Sequence, residues 1–259
     1  MHTRTPERPG SGRTRIWILA GEPSGDIYGA RLAAELRALD PDIELAGMGS
    51  DAMRRAGVDL FVDSTELGVV GLVEVLKHLP TFYSLFRSMV RRAALERPDA
   101  VVLIDYPGYN VRFARRLHRL GIPVVYYISP QVWAWGRRRI PLLARIVSRM
   151  LVIFPFEEEV YAGTGLDVEF VGHPLVDILN EKREAAERDP ECVLLLPGSR
   201  RGEVERLFPD MLEGAVRLHE RRPDLHFVVA VPRERVAEPV RRLLVERAQA
   251  GLTVEVAVG

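Results

Sequence analysis

Along this chain short apolar runs alternate with longer stretches in which apolar residues recur every three to four positions. The first pattern belongs to buried strands and the second to amphipathic helices. Strands are predicted at residues 16–20, 43–46, 100–104, 124–128, 150–153 and 168–171, and helices over about 26–39, after Ser50, over 111–120 and from Glu157. A basic segment covers 136–149. Strand then helix, repeated, predicts a doubly wound, mostly parallel sheet with right-handed crossovers. Between Pro174 and Pro190 the rhythm breaks into a polar stretch, which reads as a linker or a short surface helix. It restarts with strands at 192–196, 225–230 and 253–256 and helices at 203–221 and 236–250. The expected division is a flexible tail over 1–14, a first α/β domain over 15–175, a linker over 176–190 and a partial second domain over 191–259. Three strands without a closing helix are few for an independent doubly wound sheet, so the chain reads as part of a longer protein.

Composition narrows the function classes. The 259 residues are 47% hydrophobic and 28% charged, which is the make-up of a globular protein with a sizeable core. Lys+Arg and Asp+Glu both number 36, and this balance argues against nucleic acid as a partner. The lone Cys192 excludes an intrachain disulfide and, inside Cys192-Val193-Leu194-Leu195-Leu196, reads as a packed core thiol. The first fifteen residues are basic and lack the apolar segment of a secretory signal, so cytoplasmic residence is the expectation. No apolar stretch is long enough to cross a bilayer, and no Cys, His or carboxylate spacing matches a metal site, so no metal is expected.

Asp105 stands where the run Ala100-Val101-Val102-Leu103-Ile104 stops and the turn Tyr106-Pro107-Gly108-Tyr109-Asn110 begins. Ligands of parallel sheets sit beyond the carboxyl ends of the strands, so Asp105 lies where chemistry is expected; capping the helix near Asn110 or fixing the turn is the equally weighted alternative. Other strands of the first domain also end in polar loops, among them Gly21-Glu22-Pro23-Ser24-Gly25-Asp26, Ser129-Pro130-Gln131 and Gly172-His173-Pro174. In a parallel sheet these loops line one edge. Ser24 or Asp26 could cap the helix after the first strand, and His173 reads as a hydrogen-bonded loop residue. In the second domain, Leu196-Pro197-Gly198-Ser199-Arg200 leads into a helix whose first amides, with Ser199 as cap and the Arg200 guanidinium, suit a diphosphate. Residues 68–86 carry more apolar surface than one buried helical face needs, with Pro80 expected to kink or split the helix. A core helix explains part of this run; the excess could be an exposed patch with Lys77, His78, Arg87, Arg91 and Arg92 available for anionic head groups. Arg137, Arg138, Arg139, Arg145 and Arg149 could help, but such a run more commonly means a solvated helix face.

Taken in order, these loops resemble the lipid-A-disaccharide synthases. The match is carried by Ala20 to Asp26, Gly71-Leu72-Val73-Glu74-Val75-Leu76, Asp105 to Asn110, Ser129 to Trp135, Phe154-Pro155-Phe156-Glu157, Gly172-His173-Pro174 and Leu196 to Arg200. Tyr106 and Gly108 differ from the family's usual turn, while Asp105 and Asn110 stay in register. The resemblance implies two Rossmann-like domains in the GT-B arrangement, with the second incomplete here. It implies an inverting transfer of 2,3-diacylglucosamine from its UDP derivative to 2,3-diacylglucosamine 1-phosphate, with no cofactor. Asp105 would be the catalytic carboxylate; Glu22, Ser24, Gly25, Asp26 and Asn110 would lie against substrate, and Gly198, Ser199 and Arg200 would hold the donor diphosphate. Val69, Val70, Leu72, Val73, Val75, Leu76 and Leu79 would dock on the inner face of the inner membrane and take acyl chains. A homodimer of the longer protein is also implied. A UDP-sugar epimerase or hydrolase of the same fold, or a membrane-binding module without activity, are the alternatives.

Overall fold

The apolar runs form strands because both of their faces find cover. In the computed structural model, which describes residues 12–64, 72–134, 136–183, 188–246 and 252–259, the chain makes two compact units, Met1–Glu181 and Lys182–Gly259. The first holds β1 (Arg15–Ala20), β2 (Glu44–Gly49), β3 (Asp59–Asp63), β4 (Ala100–Ile104), β5 (Val124–Tyr127), β6 (Arg149–Val152) and β7 (Asp167–Phe170). They pair in parallel in the order β3-β2-β1-β4-β5-β6-β7. Along β1, Trp17 and Leu19 enter one core and Ile18 and Ala20 the other, so successive side chains serve opposite faces.

Helices supply that cover. α1 (Pro23–Leu39) and α2 (Asp51–Arg55) bring Ala33 and Met53 to the core of Ile18 and Ile104. α3 (Leu72–Glu96) and α4 (Pro107–Arg119) bring Met89, Phe113 and Leu117 to the core of Trp17 and Leu103. α5 (Ile140–Ile146) adds Leu143 to that core, and α6 (Phe156–Val160) and α7 (Pro174–Arg183) complete the unit.

Several details depart from the pattern-based reading. β3 escaped it because Leu60-Phe61-Val62 is a short edge run, only partly buried and closed by aspartates at both ends. α3 continues through Pro80 as one helix instead of splitting. α7 takes up the first half of the segment read as linker. Val69 and Val70 lie outside the described residues, as do the side chains of Leu72, Val73, Val75, Leu76 and Leu79.

The second unit contains β8 (Cys192–Leu195), α8 (Arg201–Arg221), β9 (His226–Val231), α9 (Glu234–Glu246) and β10 (Val254–Val258), with parallel strands in the order β10-β9-β8. Both helices pack on one face, where Val204, Phe208 and Val240 meet Val229 and Val231. Leu194, pointing the other way, is 54% exposed. Cys192 is only partly buried, at the start of this thinly covered strand.

Candidate functional site

In the first sheet the chain runs outward in both directions from β1 and β4, so the loops after these neighbours diverge and leave a crevice at their carboxyl ends. Ala20 and Ile104 sit opposite each other in the register, which sets Glu22 and Asp105 on the same stretch of edge. Glu22 is the N-cap residue of α1, and Pro23 occupies the first turn, where a missing N–H costs nothing. Neither Ser24 nor Asp26 caps that helix. Ser24 is exposed on the first turn.

Asp105 and Tyr106 both have left-handed backbones, with φ of 44° and 45°, and Ile128 at the end of the neighbouring strand has φ of 66°. Residues with side chains pay about 1–3 kcal/mol each for such conformations, and they persist only where the surroundings hold them. Here the hold is visible. The Asp105 amide donates to the Tyr127 carbonyl at 3.0 Å. The Asp105 carbonyl accepts from Asn110 Nδ2 at 2.7 Å and from the Tyr126 hydroxyl at 2.7 Å. Asn110 Nδ2 also donates to the Ile104 carbonyl at 3.1 Å.

The turn leaves the Asp105 carboxyl half-buried, and burial first and the Glu22 charge second push its pKa upward, against the Tyr106 amide that pulls it down. No cation pairs with it among the described residues. The phenol of Tyr28 faces the same charge and is raised too, chiefly by burial. Such a carboxylate is a stronger base than an ordinary aspartate. The Asp105 side chain does not cap α4, whose N-cap residue is Tyr106; the backbone amide and carbonyl of Asp105 tie the turn down instead.

Close packing fixes the glycines around it. A Cβ on Gly21 would stand 2.4 Å from Tyr106 Cδ1, so that ring lies directly on the loop after β1. A Cβ on Gly25 would meet the Ala20 Cβ at 3.3 Å, so Gly25 serves the approach of α1 to its strand and no ligand contact is needed to explain it.

Two residues assigned to substrate turn inward. Asp26 is 5% exposed, and its carboxylate accepts the amides of Ser50 at 2.6 Å, Ala52 at 2.9 Å and Met53 at 3.2 Å. It is the cap of α2, reached across the sheet edge, and its oxygens are spoken for. Asn110 is fully buried and works on the backbone behind Asp105. Tyr126 was missed altogether, because a tyrosine inside a strand reads as core and nothing in its spacing reveals where the hydroxyl ends.

Further along the same edge, Trp133, Phe154 and Phe156 form an exposed ring cluster with centroids 5.3 and 5.6 Å apart. Beneath it Ser129 Oγ and the Tyr161 hydroxyl lie 2.8 Å apart, and buried Glu157 accepts the Phe154 amide. His173 accepts the Leu175 amide at 3.1 Å, as a loop histidine does.

The second unit has its own edge. A cavity of about 580 Å³ opens at the ends of its strands, lined by residues that include Leu196, Gly198, Ser199, Pro232 and Gly259. Gly198 has φ of 124° and lies against Glu203, where a Cβ would approach to 2.7 Å. Arg200, not Ser199, is the N-cap residue of α8. Glu203 Oε2 accepts the amides of Ser199 at 3.0 Å and Arg200 at 3.2 Å, while the Arg200 guanidinium donates to Oε1 at 3.0 Å. The amides and the arginine expected to hold a diphosphate are thus arranged around one oxyanion already. Among the described residues no cluster of three or more metal-ligating side chains occurs, and no helix is long and apolar enough to cross a membrane.

Comparison with known proteins bears on this arrangement. The model of the family described as lipid-A-disaccharide synthetase matches residues 16–256. A lipid-A-disaccharide synthase from Geobacter metallireducens is 46% identical over 223 residues, covering 83% of this chain and 58% of that protein. One from Koribacter versatilis is 47% identical over 213 residues, covering 79% and 56%. The chain therefore spans under two thirds of the length of these relatives. Among solved structures, a UDP-GlcNAc 2-epimerase from Neisseria meningitidis bound to UDP-GlcNAc superposes with a TM-score of 0.66 at 14% identity, covering 95% of this chain and 72% of that one. A second, from Listeria monocytogenes, gives 0.66 at 12% identity, covering 96% and 70%. At that identity the likeness is one of fold: Rossmann-like α/β units in series.

Proposed function

The chain belongs to the lipid-A-disaccharide synthase family, and from that membership we propose that it carries the chemistry of an inverting glycosyltransferase. Asp105 takes the proton of an acceptor sugar hydroxyl while that oxygen attacks the anomeric carbon of the donor. The bond from that carbon to the UDP oxygen breaks, and the electron pair leaves with UDP. One displacement inverts the centre, so no covalent enzyme intermediate is needed. The donor is UDP-2,3-diacylglucosamine and the acceptor 2,3-diacylglucosamine 1-phosphate, as in the family. Gly198, Ser199 and Arg200 receive the diphosphate in place of the Glu203 carboxylate, which gives up the Ser199 and Arg200 amides and the guanidinium to the developing charge. Glu22 and Ser24 border the acceptor. The acyl chains and the inner-membrane surface meet Val69, Val70, Leu72, Val73, Val75, Leu76 and Leu79, and two copies pair as a homodimer on the cytoplasmic face.

One observation carries this reading: an unpaired, half-buried carboxyl on a left-handed turn, at the edge where a Rossmann-like sheet receives ligands. The test is disaccharide formation from both lipid substrates by the chain and by its Asp105→Asn variant. Loss of a positioned base lowers the rate about 10²–10⁴-fold, with the fold intact by circular dichroism. Normal turnover in the variant rejects Asp105 as the base. Consumption of the UDP-sugar without acceptor would point to an epimerase or hydrolase instead.

A further inference from the structure

Tyr126 is a buried, ionisable side chain for which the reaction has no direct use. It is fully buried in β5, opposite Leu103 in the register, yet its hydroxyl reaches the carbonyl of Asp105, the first residue past the end of β4. A phenylalanine would fill the same core equally well, so packing does not account for the oxygen. The oxygen meets the one carbonyl that belongs to the strained turn. Asn110 Nδ2 meets it too, and the Asn110 Oδ1 has no hydrogen-bond partner among the described residues, so the amide is oriented by its donor end alone. Burial, with the Asp105 charge second, holds the phenol well above its usual range, which keeps it a proton donor at every working pH.

We propose that Tyr126, seconded by Asn110, is a positioning residue for Asp105: its hydroxyl pins the carbonyl of a left-handed turn and so keeps the carboxylate at the sheet edge. Among the described residues the Tyr126 hydroxyl and Asn110 Nδ2 share this carbonyl, each at 2.7 Å. The Asp105 amide is tied to β5, but that bond fixes only where the turn starts; the carbonyl bonds fix how far the chain has rotated past it. The inference rests on the reading of Asp105 as the base, and its test is built to be separable from that reading.

The variant is Tyr126→Phe in the full chain, and the first readout is the Asp105 carboxyl followed by ¹³C NMR across pH. Released from its carbonyl anchor, the turn relaxes and the carboxyl gains water, so it titrates at lower pH than in wild type. The second readout is turnover, with kcat falling about 10- to 100-fold and KM within about twofold, the signature of a misplaced reacting group. A carboxyl titration identical to wild type, with only the denaturation midpoint lowered, overturns the proposal and makes Tyr126 a core residue. Should Tyr126→Phe fail to fold, the double variant Tyr126→Phe/Asp105→Gly decides, because glycine adopts a positive φ freely. Recovery of folding in the double variant supports the proposal, and failure of both overturns it. If Asp105→Asn turns over normally, the base reading falls, while the titration still decides whether Tyr126 holds the turn.

Discussion

Asp105 and Glu203 each stand where a parallel strand gives way to a helix, yet their carboxylates meet opposite surroundings. Asp105 is half-buried, faces Glu22 and has no cationic partner among the described residues, so its proton is held more tightly than in water. Glu203 accepts the Ser199 amide first of all, then the Arg200 side chain and amide, and its pKa is drawn below the usual carboxylate range. The first edge leaves its carboxylate with a raised affinity for a proton, while at the second the loop amides and Arg200 surround the Glu203 carboxylate. One architecture gives both because the edge only collects loops, and the charge around each carboxylate depends on what those loops bring. Asp26 marks a third outcome, a carboxylate at the same edge that has become part of the frame by accepting three amides.

The largest effect tests that third case. Asp26→Ala strands three α2 amides, at least one of them buried, and unmet buried donors cost about 1–3 kcal/mol each. The first unit is therefore expected to lose roughly 3 kcal/mol or more in urea denaturation, with the UDP binding proposed for the second unit unchanged. Unaltered stability would return Asp26 to the ligand-binding set and blur the line between frame and site.

A smaller effect separates the two edges. Gly198→Ala must place a side chain at φ of 124° and against Glu203. The loop then shifts, and UDP affinity measured by calorimetry is expected to drop roughly tenfold, for about 1.4 kcal/mol. The Asp105 titration should not move. If it does, the edges are not independent and the contrast drawn between them fails.

The pattern of apolar residues disclosed the sheet because strands covered on both faces repeat their signal without interruption, as β1 and β4 do. It concealed β3, whose edge position leaves it half-wet and bounded by charge. The place of Asp105 at the sheet edge was legible because the buried run stops directly before it, but a carboxylate at a strand end suits a cap as well as a base, and the pattern did not separate the two. Asp26 was misjudged because its partners lie more than twenty positions away, and a cap supplied from another element leaves no local spacing. Ser199 was mistaken for the α8 cap since the Glu203 carboxylate folds back over the amides that a serine would have met. Tyr126 was invisible, because the pattern reports that a strand position is buried and not what its far end touches.

The smallest expected effect is also the finest probe of the Asp105 edge. Asp105 must be deprotonated to act as a base, so the rate rises with pH through its titration, and the raised pKa sets that acid limb above the ordinary aspartate range. Glu22→Gln removes the second contributor, the neighbouring charge, and leaves burial in place. The acid limb is then expected to move to lower pH without reaching the range of a free aspartate, whatever the variant does to the maximal rate. Stability follows the same sign. A carboxyl raised on folding binds its proton more tightly in the native unit, so the unit loses stability as pH rises from the ordinary value through the raised one. In the Glu22→Gln variant that loss should be smaller and begin at lower pH, as read by urea midpoints across pH. An acid limb that stays fixed would mean that burial alone tunes Asp105, and that the carboxylate beside it serves the acceptor rather than the base.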